Sequence, residues 1–142
     1  MKQSPHTYTL TMTQDQALTV SKACEFYARV MMGQFNEIAF ETMMQHTSKP
    51  DFCERRNQMQ NLLYHARKCA FPDLTGPGHS YGVGHSVSSD RAWEAYQVLR
   101  HAIAWTSNPE GGSTVDFHQP MCFSGDKTMP QVLVDGKKVV SR

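Results

Sequence analysis

The segment Phe26-Tyr27-Ala28-Arg29-Val30-Met31-Met32-Gly33-Gln34-Phe35 sets an arginine one turn before a glycine, with a tyrosine close by. An arginine there can fold over a helix end and present its planar fork to an anion. Arg100, His101 and Trp105 repeat the theme downstream: a cation, an imidazole and a large ring on neighbouring turns. Guanidinium and aromatic ring together suit a nucleotide, charge for phosphate and a face for the base. The same residues also read as a surface arginine beside core aromatics, which is how most such groupings are used.

A third group is the loop Gly76-Pro77-Gly78-His79-Ser80-Tyr81-Gly82-Val83-Gly84-His85-Ser86. Glycines let backbone N–H groups approach a phosphate, and His79, Ser80 and Tyr81 could donate or stack. The spacing is not G-x-x-x-x-G-K-[ST], because no lysine follows, nor G-x-G-x-x-G, because Gly82 arrives one residue late. A turn-rich connection is the alternative reading. His79 and His85 could bind a metal with His101, His118 or Asp73, but no H-E-x-x-H or Cys/His cluster accompanies them, so no metal or cofactor is expected. Ser80 beside His79 is adjacency in sequence, not a nucleophile–base geometry, and no G-x-S-x-G elbow occurs. The acids are scattered over polar helix faces, where solvated charge is the default. These residues point to a binding protein rather than an enzyme.

Composition narrows the partners. The chain has 142 residues and a formal net charge of +1. That length suits one domain over residues 1–142, able to bury about 68–70% of the surface its unfolded chain exposes. The charge balance creates no global field to recruit nucleic acid or anionic lipid, so an anionic ligand must be caught locally. No run of 18 apolar residues spans a membrane, and Met1 to Thr13 lacks the apolar core of a signal peptide. The four cysteines, Cys24, Cys53, Cys69 and Cys122, form no C-x-x-C pair and read as free, buried thiols in a reducing compartment. Nine methionines include Met31, Met32, Met43 and Met44, which suit either irregular core gaps or an adaptable subunit interface.

The elements that must position these residues are mostly helical. Thr7 to Thr13 alternates as a strand does. Thr13-Gln14-Asp15-Gln16 is a capping box for a first helix, whose inner face takes Ala17, Val20, Ala23, Cys24, Tyr27, Val30 and Met31. Gly33 ends it. A second helix is predicted from Gln34 to about Gln45, with Phe35, Ile38, Ala39 and Met43 inward. A third has Pro50 in its first turn and Phe52, Met59, Leu62, Leu63 and Ala66 inward, with Arg55, Arg56, Arg67 and Lys68 on its polar side. After the loop Phe71 to Ser89, long enough to be functional, Ser88 or Ser89 caps a fourth helix with Trp93, Tyr96, Leu99, Ala102 and Ile103 inward. Asn108-Pro109-Glu110-Gly111-Gly112 breaks it. The irregular stretch from Ser113 leads to one or two strands in Gln131 to Val140, turning at Asp135-Gly136. The expected fold is α+β: about four helices with a small β component from both chain ends.

In combination these blocks resemble a family of small tailed-phage proteins. Tyr27-Ala28-Arg29-Val30-Met31-Met32-Gly33-Gln34-Phe35 resembles its Y-S-R-[IL]-G-[MI]-G-Q-[FL] block, with Met31 in place of the first glycine. Ser80-Tyr81-Gly82-Val83 is similar to its S-Y-G-I, with extra residues around Gly78 and Gly84. Ala95 to Trp105 resembles its A-Y-[DE]-[LV]-x-[QK]-V-[IL]-R-H-x-[LI]-A-W helix, and Asn108-Pro109-Glu110-Gly111-Gly112 and Val115-Asp116-Phe117 also fit. The resemblance runs from about Thr9 to Gly125. Such proteins are similar to the fourth-type anti-CBASS sponges, which hold cyclic dinucleotide immune signals without cleaving them, as oligomers. The resemblance implies a phage-encoded homo-oligomer in the host cytoplasm that sequesters a cyclic nucleotide. Its ligand residues would be Tyr27, Arg29, Gln34, His79, Ser80, Tyr81, Arg100, His101 and Trp105. The rival functions are a small nucleotide hydrolase using His79, His85 and a metal, and a protein–protein inhibitor of a host enzyme acting through the methionine-rich face.

Overall fold

A computed structural model describes residues 6–142. Its elements run α1 (Gln14–Met31), α2 (Asn36–Met43), a short 3-10 turn (Met44–His46), α3 (Phe52–Ala70), α4 (Val87–Ser107), a second 3-10 turn (Val115–Phe117), β1 (Leu133–Val134) and β2 (Lys137–Lys138). The fold is α+β.

The capping box forms as the sequence predicts: the Gln16 N–H donates to Thr13 Oγ1 at 3.3 Å, and the Thr13 N–H donates to Gln16 Oε1 at 2.9 Å. At the other end of α1, Gly33 sits at φ +85°. Its N–H donates to the Val30 carbonyl and that of Gln34 to the Arg29 carbonyl, each at 2.9 Å. These two bonds are a Schellman motif, closed by a left-handed residue that glycine adopts without Cβ strain. A Cβ at Gly33 would also come within 2.5 Å of Leu74 Cδ1. Gly33→Ala is therefore expected to cost about 1–2 kcal/mol for the backbone alone. A thermal melt checks it: an unchanged melting temperature would mean that Gly33 is not needed for its conformation.

The helices form two packed pairs. α1 lies along α4, with Arg29 near the end of α1 over the Trp93 ring of α4. The buried residues of α1 are Ser21 and Ala28, seven apart and both small, and Met32 follows in the C-cap. The inner face is thus rotated from the expected stripe: Ala23 and Tyr27 are exposed. α2 packs on α3 around Ala39, Met43 and Leu63, with Phe35, Ile38, Phe52 and Met59 alongside. Leu62 and Ala66, expected inward, face solvent, because one face of α3 has no partner helix.

Other boundaries moved for identifiable reasons. α2 is shorter than expected, since its last turn tightens into the 3-10 turn. Pro50 lies in the turn before α3 rather than inside it. Ser86, not Ser88 or Ser89, caps α4: it is extended and its hydroxyl accepts the Ser89 N–H at 3.3 Å. Ser89 is instead buried in the first turn. The C-terminal hairpin pairs Leu133 with Lys138 and Val134 with Lys137, turning through Asp135 (φ 51°) and Gly136 (φ 74°). Two positive-φ residues suit the twist of a two-residue hairpin turn. The expected N-terminal strand is absent: residues 7–13 are in no ladder among the described residues. Alternation gives a segment two faces, but a strand also needs a neighbour for its backbone.

Candidate functional site

The Schellman turn brings Gln34 back over Arg29. Arg29 Nη1 donates to Gln34 Oε1 at 2.9 Å, and Nε donates to Glu25 Oε1 at 2.9 Å, one turn earlier on α1. The guanidinium carbon lies 5.5 Å from the centre of the Trp93 ring. Rather than fold over the helix end, Arg29 is held edge-on between two oxygens and face-on to an indole. Its side chain keeps 30% of its surface, and Tyr27 is exposed on the other side of the same helix. The two anchoring bonds engage Nε and Nη1, so they leave the Nη2 side of the fork uncommitted. A guanidinium so fixed loses little freedom on meeting an anion.

The glycine loop docks at this end of the helix pair through the Tyr81 N–H, which donates to the Met32 carbonyl at 2.8 Å. Its inner scaffold is Arg67. Sequence placed Arg67 on a polar face, yet it is 4% exposed. It donates to the carbonyls of Pro77 at 3.2 Å, His79 at 2.7 Å and Gly76. These carbonyls satisfy the two terminal nitrogens of the buried cation, while its Nε has no hydrogen-bond partner. The loop therefore turns carbonyls inward onto a cation. Several of its N–H groups are also spent: Gly76 donates to His79 Nδ1 at 3.1 Å, His79 to the Gly76 carbonyl at 3.1 Å, and Gly84 to Asp90 Oδ1 at 2.8 Å. This is not the geometry of a phosphate cradle, in which successive N–H groups converge on one point.

Side chains of the loop are also committed. The Tyr81 hydroxyl donates to Asp73, which lowers the Asp73 pKa and raises that of Tyr81. The Tyr81 ring stacks on His85 at 3.6 Å and meets Phe71 edge-on at 5.6 Å. Ser80 is exposed. Among the described residues, no group of three or more His, Cys, Asp or Glu is arranged to hold a metal ion.

Arg100, His101 and Trp105 lie further along α4, about two to three turns beyond Trp93. Trp105 is buried: its Nε1 donates to the Phe117 carbonyl at 3.2 Å and its ring meets Phe117 edge-on at 5.4 Å. Arg100 donates from Nη1 to the Tyr96 hydroxyl at 3.0 Å, while its Nε lies 3.5 Å from Asp116. Both residues tie α4 to the segment that crosses it. His101 differs. Its Nε2 is shut off from solvent and has no hydrogen-bond partner, and burial, then the neighbouring Arg100 charge, push its pKa down. The nine residues named by sequence thus divide. Arg29, Gln34 and Tyr81 gather at the end of α1, with Trp93 added by the structure, whereas Tyr27, two residues before Arg29, points away on the other side of the helix. His79 and Ser80 sit on the loop outside them, and Arg100, His101 and Trp105 lie further along α4.

Sequence also missed a row of buried polar groups. Asp90, Glu94 and Gln97 lie on one face of α4 and are all buried, against the expectation of solvated acids. Asp90 takes the Gly84 N–H. Glu94, 1% exposed, accepts from the Phe123 N–H at 2.7 Å, the Ser124 N–H at 2.6 Å and the Ser124 hydroxyl at 3.0 Å. Gln97 pairs with both backbone groups of Met121 at 3.1 Å. The signal was their spacing of four and then three residues, which marks one helix face.

The methionines divide as well: Met32 and Met43 are buried in the chain's own core, Met31 is half-buried and Met44 is exposed. All four cysteines are free, but only Cys24 is part-buried, and Cys53, Cys69 and Cys122 are exposed, contrary to expectation. No helix among the described residues is long and apolar enough to cross a membrane. No family model, curated protein or solved structure matches the chain.

Proposed function

We propose that the chain is a phage-encoded sponge that holds a cyclic nucleotide immune signal without cleaving it, at the end of α1 around Arg29. The observation that carries this reading is the fixed guanidinium: Glu25 and Gln34 orient it over Trp93. It offers a planar, charged fork for a phosphate. The sequence blocks around Arg29 and Tyr81 supply the ligand class. In this reading Arg100 and Trp105 support the fold, since Arg100 is held by Tyr96 and Asp116 and the Trp105 N–H by Phe117 within the chain.

The test is to incubate the purified protein with a panel of cyclic di- and trinucleotides, then denature it by heat and analyse the released small molecules by mass spectrometry. A raised melting temperature with one or more ligands, and their intact recovery, is the expected result. Recovery of a linear product would establish a hydrolase instead. A panel that shifts nothing would favour inhibition of a host protein.

A further inference from the structure

The glycine loop turns carbonyls inward onto Arg67, and it completes a row of rings that runs from the core to the surface. Phe35, packed beside the α2–α3 core, meets Phe71 edge-on at 5.8 Å and 76°. Phe71 meets Tyr81 edge-on at 5.6 Å and 73°. Tyr81 then lies flat on His85, with ring centres 3.6 Å apart and planes 2° from parallel. Every other ring pair among the described residues meets at 52° or more. The row ends on an imidazole that is exposed to solvent.

Both members of the flat pair are anchored. Tyr81 is held at three points: its N–H donates to the Met32 carbonyl at 2.8 Å, its hydroxyl donates to Asp73, and its ring meets Phe71. His85 is held through the chain on either side of it. The Gly84 N–H donates to Asp90 Oδ1 at 2.8 Å, and Ser86 caps α4. One face of the imidazole rests on Tyr81, and no second ring of the described residues covers the other face. A ring fixed in this way loses little freedom when a ligand lands on it. What a flat, open ring face receives best is another planar ring, and every nucleobase has one.

The pair stands at the same end of the molecule as Arg29. Tyr81 is bonded to Met32, three residues after Arg29 in the chain. On the other side, α4 starts directly after the Ser86 cap that follows His85, and it carries Trp93, the ring beneath Arg29. The seven residues from Ser86 to Trp93 rise about 10 Å, so the two positions are neighbours without touching.

The geometry points to a base-stacking platform: the open face of His85, backed by Tyr81, takes one nucleobase of a ligand whose phosphate is held at Arg29. This assignment rests on the nucleotide reading and adds to it the place of a base. Stacking tolerates any base, so the platform contributes affinity, and the choice among bases falls to other contacts.

The experiment is calorimetric titration of wild type, His85→Ala and His85→Phe with cyclic di-AMP, cyclic di-GMP, cyclic GMP-AMP and cyclic tri-AMP, together with proton NMR of the His85 ring. His85→Ala, a change at an exposed position, is expected to stay folded and to bind the tightest of the four roughly 5- to 30-fold more weakly, the lower part of the range for losing a stacking ring. His85→Phe keeps a flat ring and is expected to restore most of the affinity. In the wild type the same ligand is expected to move the His85 Hδ2 and Hε1 resonances upfield, because they come under the ring current of the base. That shift distinguishes a stacked base from mere support of the loop, which phenylalanine would also restore. Equal affinity for wild type and His85→Ala, or a bound ligand that leaves those resonances in place, would overturn the platform and leave the nucleotide reading standing. A wild type that binds none of the four would overturn both.

Discussion

Arg29→Ala is expected to weaken cyclic nucleotide binding by roughly 30- to 150-fold and to leave the protein folded. The binding loss corresponds to about 2–3 kcal/mol, the lower part of the range for truncating one partner of a desolvated charge pair, because the Arg29 side chain keeps 30% of its surface. The stability cost is smaller. Arg29 pairs with Glu25 at 2.9 Å, but the two side chains are 30% and 28% exposed, and such pairs contribute about 0.2–1 kcal/mol. A large binding effect with a small stability effect separates a ligand contact from a packing residue. Arg29→Lys should restore only part of the affinity, since an ammonium cannot hold Glu25 and Gln34 and still present two prongs. Isothermal titration of the three proteins with the best ligand of the panel measures all of this. Equal affinity for wild type and Arg29→Ala would remove Arg29 from the site.

How much of this was legible in the sequence differs by element. The start of α1 was, because a capping box is a local pattern whose partners lie three residues apart. The turn at Asp135-Gly136 was legible for the same reason: the turn type needs those residues wherever it occurs. The Arg29–Gly33 spacing pointed to a helix end carrying a cation, but not to the return of Gln34, which depends on the Schellman bonds. Residues set by distant partners were not legible. Arg67 binds carbonyls 9 to 12 positions away, and Glu94 binds a segment 29 and 30 positions away. Periodicity read both as solvent-facing, because a charged residue on a helix is solvated unless something folds over it. The N-terminal strand failed for the opposite reason: the local pattern is present, and the neighbour it requires is not among the described residues of this chain.

Glu94→Ala should be the most damaging single change to the fold. The Glu94 carboxylate is the one group that both Phe123 and Ser124 N–H donors share, and it also takes the Ser124 hydroxyl. Removing it leaves those donors unpaired in a part-buried segment, at about 1–3 kcal/mol for each backbone group. A loss of about 2–5 kcal/mol follows, a large fraction of the 5–15 kcal/mol typical of a domain, and roughly 6–20 °C in melting temperature. Glu94→Gln should lose less, because the amide oxygen can still accept the two N–H groups. The two carboxamide and carboxylate forms then differ in pH dependence. Burial alone would raise the Glu94 pKa, but the Ser124 and Phe123 N–H groups and the Ser124 hydroxyl outweigh it, and the pKa falls below its ordinary 4.5. A lowered folded-state pKa stabilises the protein at pH values above the unfolded pKa, and that contribution disappears as pH falls through the folded one. The wild type should therefore exceed Glu94→Gln in stability at neutral pH, and the gap should narrow as the pH drops below about 4.5. Comparing the two proteins cancels the other acids, including Asp126, whose pKa Arg91 also lowers. Denaturant titrations at several pH values give the gap directly. A gap that stays constant down to pH values where the carboxylate is protonated would show that shape, not charge, holds the tail on α4.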